Sequence, residues 1–277
     1  MSIEKSNDQD AFREFERVGW DRAIDGYVDV LGPVTRQTVE TTLDAAAVKA
    51  GTRVLDVCTG PGYLADGATR RGAEAVGLDF ADNVVDMARR QVPGAAFHQG
   101  DAQDLPFADA TFDAVVCGYG IIHVPEPEKA LTEMIRVVRP GGRIAVSVWE
   151  GPIPDSGFGL IYAAVGAKGT MDVALPHGPN FFQFGTEETL RDALLTVGLS
   201  DVDAATCPLN WHVASVMQIL ATIDTGTVRA RALMEAQNEH EVAGIIGYLE
   251  TALESRADSA GGFDIPCPAI VGSGLRT

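Results

Sequence analysis

Little in this chain of 277 residues is paired, basic, or long and apolar. Four cysteines, Cys58, Cys117, Cys207 and Cys267, lie far apart with no CxxC pair and no Cys/His cluster. That spacing argues against a structural zinc and predicts free thiols in a reducing cytoplasm. No apolar stretch approaches the ~20 residues of a membrane span. The N-terminus, MSIEKSNDQDAFREFERVGW, is too charged and polar for a signal or transit peptide. Basic charge is scarce: 21 Lys and Arg stand against 39 Asp and Glu, a formal net charge of −18. Such a surface mostly repels a phosphate backbone, which weighs against nucleic acid as the substrate. Internal repeats and low-complexity tracts are missing too.

What is present is an alternation. Residues 8–47 read as helices, with Phe12, Phe15 and Val18, then Val34, Thr38, Val39 and Leu43, at helical spacing. Short apolar strands at 53–57, 74–78, 95–99, 112–117 and 143–149 then alternate with helices at 62–71, 82–91 and 127–138. Strands alternating with helices predict a doubly wound, Rossmann-like parallel sheet. The rhythm changes after Glu150. Residues 151–180, rich in Gly and Pro, read as a lid or insertion, followed by helix 186–197 and strand 201–206. Residues 213–258 read as mostly helical, and a last strand falls near 268–273. The chain thus divides into an N-terminal helical cap (1–50), a binding core (51–150), and a lid with the rest of the sheet and a helical insertion (151–277), all within one domain.

The stretch VLDVCTGPGYLA matches Gly-x-Gly-x-x-Ala at Gly60, Gly62 and Ala65, the fingerprint of dinucleotide sites. Two neighbours oppose a pyrophosphate there. Asp56, at the end of the strand, would set a carboxylate against the phosphates, and Pro61 removes a backbone N–H from the loop. A cationic ligand without phosphate fits better, and S-adenosylmethionine carries an ammonium and a sulfonium. Asp79 ends the second strand, where a carboxylate can accept both ribose hydroxyls. Asp101, just past the third strand, can accept an adenine amino group while the Ala102 N–H donates to the ring.

Four stretches in order, LDVCTGPG, GLDF, GDAQDLPF and EMIRVVRPGGRI, resemble the class I S-adenosylmethionine-dependent methyltransferases, in particular the small-molecule group that includes the quinone and menaquinone methylases. The resemblance spans about residues 20–150. It implies a seven-stranded, mostly parallel sheet with the last strand antiparallel. It also implies a cofactor site of Asp56, Thr59, Gly60, Gly62, Asp79, Phe80, Asp101, Ala102 and Cys117. Cys58 stands where the family often has glycine.

The loop after the fourth strand, CGYGIIHVPEP, lacks both the Asn/Asp-Pro-Pro-aromatic motif of nucleobase-amine methylases and the acidic cluster that holds magnesium in catechol-type methylases. No metal is expected. Quinone methylases commonly have Gly-Ile/Leu-Arg-Asn-Val where this chain has Gly120-Ile121-Ile122-His123-Val124. The expected reaction is methyl transfer to oxygen or carbon of a small ring-containing or apolar metabolite. Alternatives are another reaction on the same fold or a non-catalytic sensing subunit; an NAD enzyme is opposed by Asp56 and Pro61. Candidate catalytic or substrate-facing residues are His123, His177 and Tyr27. His98 and Trp20 read as structural; Phe181, Phe182 and Phe184 line a pocket or pin the lid. His212 and the helices of 213–258 could roof the site or serve a homodimer.

Overall fold

The computed structural model describes residues 2–257 and 261–277, with side chains from residue 8 onward. The chain opens in helices: α1 (Ser2–Val30), a short α2 (Gly32–Thr35), a 3-10 turn, and α3 (Val39–Ala45). Pro33 lies in the first turn of α2, where its missing N–H is tolerated, so the predicted helical run is broken there. The alternation then runs β1 (Arg53–Val57), α4 (Tyr63–Arg70), β2 (Glu74–Asp79), α5 (Asp82–Gln91), β3 (Ala96–Gln99), β4 (Phe112–Gly118), α6 (Pro127–Val137) and β5 (Val138–Trp149). After it come α7 (Gly157–Lys168), α8 (Glu187–Thr196), β6 (Ser200–Cys207) and β7 (Asn210–Val213). The chain closes with α9 (Val216–Gly226), α10 (Arg229–Glu235), α11 (Glu239–Leu253), β8 (Phe263–Pro266) and β9 (Ala269–Leu275).

Seven strands form one sheet in the order β3-β2-β1-β4-β5-β9-β6. Strands β1 to β5 pair in parallel, and β9 inserts antiparallel between β5 and β6. Side chains alternate across the sheet. Leu55, Val115 and Ile144 join one core with Leu131 and Met134 of α6. Val54, Val116 and Ala145 join a second core with Leu43 of α3 and Leu64 of α4. The strand order reverses between β1 and β4, so the crevice at their C-terminal ends is where such a sheet binds ligands.

Three features differ from the sequence expectation. Pro140-Gly141-Gly142 leave no gap between the helix expected at 127–138 and the strand expected at 143–149. α6 ends at Val137 and β5 starts at Val138, with the three residues forming an irregularity between the Phe112↔Val138 and Ala114↔Arg143 pairs. Gly141 has φ +77, a conformation that costs glycine little. Residues 151–180 are not all loop, because α7 lies inside them and buries Leu160, Ile161 and Val165. A second, two-stranded sheet joins β7 to β8, with Trp211 opposite Ile265, both buried. The predicted helical stretch 213–258 resolves into α9, α10 and α11, and its last residue lies outside the described residues.

Candidate active site

Past the end of β1 the chain curls through three left-handed residues, Cys58 (φ +55), Gly60 (φ +54) and Gly62 (φ +88). Only Cys58 carries a side chain in that region. A Cβ on Gly62 would press on Val92 and Phe97, so this glycine shapes the loop from behind and does not face the ligand space. A Cβ on Gly60 would meet nothing, because Gly60 borders a cavity. The cavity encloses about 1380 Å³ of empty space, its open mouth included.

One end of this cavity is acidic. Asp56 is buried; its Oδ2 accepts from Thr59 Oγ1 at 2.6 Å and from the Ala65 amide at 3.1 Å. Its Oδ1 is buried with no partner. Burial pushes the Asp56 carboxyl up to about 7, against the pull of these hydrogen bonds. Asp79 ends β2 and accepts from the Gly60 amide at 3.0 Å and the Ala81 amide at 3.4 Å. Burial likewise raises it, to about 6. The central amide of the glycine loop is thus already engaged by a carboxylate, the opposite of a phosphate cradle. Asp101 accepts from the Gln103 amide at 2.8 Å, and Arg13 of α1 pairs with it at 3.2 Å. Phe80 and Ala102 complete this end.

The other end is aromatic. Ring contacts run Tyr27 to Trp20 (5.5 Å between centroids), Trp20 to His123 (5.0 Å), His123 to Phe181 (6.0 Å) and Phe181 to Phe158 (5.6 Å). Trp149 and Tyr119 continue the belt, 4.3 Å apart. Edge-on packing of this kind holds rings in fixed orientations. The Tyr27 hydroxyl donates to Thr35 Oγ1 at 3.0 Å, and burial raises its proton affinity. His123 lies in the 3-10 turn Gly120–His123 that follows β4. Its Nδ1 is 2.9 Å from Glu16 Oε2, a carboxylate with no exposed surface. Arg229 Nε donates to the other Glu16 oxygen at 2.6 Å. The remaining Arg229 nitrogens donate to the carbonyls of Pro179 (2.9 Å) and Ile122 (2.7 Å).

The structure therefore gathers His123, Tyr27, Asp56, Thr59, Gly60, Asp79, Phe80, Asp101 and Ala102 around one space. Others fall elsewhere. His177 is exposed and does not line the cavity; of residues 170–184 only Phe181 does. Cys117 is fully buried in β4, and the chain reaches the cavity only at Gly118. Its thiol interacts with that of Cys58, an interaction that, with burial, raises the Cys58 thiol well above its usual range. Phe182 and Phe184 stay out of the cavity, Phe184 buried in the core. His98 is exposed on edge strand β3, against Phe107. His212 on β7 sits 3.1 Å from Asp264. Sequence reasoning missed Glu16 and Arg229. The signal for Glu16 was available: it falls between Phe12 and Trp20 at four-residue spacing, a carboxylate on the apolar stripe of α1. Among the described residues no group of three or more His, Cys, Asp or Glu is placed to hold a metal ion.

Residues 55–146, the α/β core of this chain, match the family model described as a methyltransferase domain. A demethylmenaquinone methyltransferase of Renibacterium salmoninarum is 41% identical over 118 residues, covering 43% of this chain and 50% of that protein. The chain thus spans about half the length of such curated relatives. The fold is shared with the YcgJ protein of Bacillus subtilis, at TM-score 0.59 and 19% identity, covering 87% of this chain and 98% of that one. It is shared as well with phosphoethanolamine N-methyltransferase 2 of Haemonchus contortus, solved in complex with S-adenosyl-L-methionine. That match has TM-score 0.58 and 17% identity, and covers 96% of this chain and 60% of that one.

Proposed function

We propose that this protein transfers a methyl group from S-adenosylmethionine to an oxygen or carbon of a small, uncharged, ring-containing acceptor. The observation that carries the reading is the two-ended cavity at the switch point between β1 and β4, acidic at the glycine loop and aromatic around His123. The unpartnered Oδ1 of Asp56 suits an ammonium group, and Asp79 and Asp101 suit ribose hydroxyls and an adenine amine. An anionic dinucleotide would face two buried carboxylates, and the one arginine at this end, Arg13, is already paired with Asp101.

When bound, S-adenosylmethionine supplies a methyl group already activated on a sulfonium, which leaves as the neutral thioether. The protein's part is placement and the exclusion of water. The aromatic belt holds a flat acceptor by its faces. The His123 imidazole, on the cavity wall, takes the proton that a hydroxyl or acidic carbon gives up as it is methylated. The relatives' name suggests a quinol as the acceptor class. The belt is consistent with a naphthol or hydroquinone ring, although the turn after β4 departs from the quinone-methylase pattern. The four free cysteines support a cytoplasmic setting, and no described helix is long and apolar enough to cross a membrane.

Calorimetry with S-adenosylmethionine and with NAD tests the donor. The first should bind and the second should not, and Asp79→Ala should weaken the first about tenfold or more by removing charge-assisted hydrogen bonds. Transfer of labelled methyl to 1,4-naphthohydroquinone tests the acceptor. Binding of NAD in preference would sink the donor assignment.

A further inference from the structure

We infer that Glu16 is a positioning residue, holding the His123 imidazole in the tautomer with the proton on Nδ1, while Arg229 balances the Glu16 charge. The inference rests on the methyl-transfer reading above. It starts from a buried carboxylate that lies outside the residues matched by the methyltransferase family model.

Glu16 has no exposed surface, and both its oxygens are engaged, one by His123 Nδ1 and one by Arg229 Nε. Burial alone would favour its neutral form, but the pull of His123 and Arg229 outweighs it and holds Glu16 below the usual carboxylate range. An ionised carboxylate only accepts, so Nδ1 must be the donor. In the neutral ring the lone pair is then on Nε2, which no described protein group engages, on a ring that lines the cavity. Arg229 meets the Glu16 charge from the other carboxylate oxygen.

The array is built to hold still. Arg229 is fixed by the carbonyls of Pro179 and Ile122, and its guanidinium lies over the Phe12 ring at 4.5 Å. Trp20 and Phe181 meet the imidazole edge-on from α1 and from the lid. A clamp that merely tied α1 to the rest of the molecule would need only Glu16 and Arg229. The third member, at the cavity wall, is what a proton acceptor requires: one fixed tautomer and one fixed ring plane.

The test uses full-length protein labelled with ¹⁵N-histidine, the His123 signals being assigned from a His123→Gln variant. Glu16→Gln leaves Arg229 unbalanced and risks unfolding, so the double variant Glu16→Gln with Arg229→Gln, neutral and close in volume, is measured beside it. Wild-type spectra should show His123 protonated at Nδ1 and bare at Nε2; the double variant should show mixed tautomers. With 1,4-naphthohydroquinone and saturating S-adenosylmethionine, the double variant should lose about tenfold or more in kcat. The acceptor KM and the S-adenosylmethionine Kd should stay within about threefold, since Glu16 has no exposed surface and the Arg229 nitrogens are spent on Glu16, Pro179 and Ile122. An Nε2-protonated wild type, an unchanged tautomer in the folded double variant, or a smaller loss in kcat would each overturn the inference. If wild type fails to methylate the probe, the acceptor reading fails alone, and the tautomer spectrum still decides the role of Glu16.

Discussion

At Asp56 and Asp79 burial works against ionisation, raising the two carboxyls to about 7 and about 6. A carboxyl raised in the folded state holds an extra proton there. Its stabilising contribution is therefore complete below the unfolded value and is lost as pH rises through the folded one. A cationic ligand favours the ionised forms, so binding should expel protons, and affinity should climb with pH. S-adenosylmethionine should bind about tenfold to a hundredfold more tightly near pH ~8 than near pH ~5.5, at ~1.4 kcal/mol for each pKa unit shifted. Calorimetry in two buffers of different ionisation enthalpy reads the released protons; a flat profile would mean that both carboxylates are ionised before the ligand arrives. His123→Ala should lower kcat by about 10²–10⁴-fold with donor affinity nearly intact, and a loss under about threefold would make the histidine a packing residue. These acidic residues were readable in the sequence because each ends a strand, and strand ends follow from hydrophobic runs. The place of Glu16 on the apolar stripe of α1 was readable too, but its pairing was not, since its partners lie 107 and 213 positions along the chain, beyond the reach of any local pattern. His177 was misplaced for the related reason that the path of a Gly- and Pro-rich lid is set by tertiary packing.

Helix α1 roofs the cavity, and two glycines let it lie close to its neighbours. A Cβ on Gly26 would come 2.3 Å from the Thr225 carbonyl of α9, and one on Gly19 would strike Val228 at 2.3 Å. Gly26→Ala should force the helices apart and cost about 1–3 kcal/mol of stability. Because α1 also supplies Trp20, Ile24 and Tyr27 to the cavity, acceptor turnover should fall with it. A thermal melt and turnover both matching wild type would show that the contact has slack. The alternating elements of the core were legible because their periods of two and 3.6 are strong over several residues. Four-residue β7 and β8 were not, being too short for a period to show. α7 was hidden by the glycines at its start; yet Gly159 is needed there, since a Cβ would run into the Ile153 carbonyl at 1.9 Å.

Over the whole molecule the charge is −18, and the cavity adds to it. Its lining includes two arginines, and both are committed: Arg13 to Asp10 and Asp101, Arg229 to Glu16. An anionic acceptor would meet a repelling field on approach and no spare cation on arrival. The 2-carboxylate of 1,4-naphthohydroquinone should therefore show kcat/KM about tenfold or more below that of the parent ring, with the gap narrowing as salt is added. Equal values at low salt would disprove the neutral-acceptor reading. Arg229→Ala, leaving a buried carboxylate bare, should cost about 3–5 kcal/mol in a denaturant melt.

The acidic end of the cavity comes from residues 56–102, whereas the belt and its histidine draw on α1, the turn after β4, the lid and the start of α10. On the methyl-transfer reading proposed above, donor and acceptor are written on largely separate lengths of chain. A gene could exchange the flanking segments for others and acquire a new acceptor, while the strand ends that grip the donor stayed untouched. In such a lineage most of the core would be inherited as a fixed engine, and selection on chemistry would act on the flanking segments and on the turn after β4.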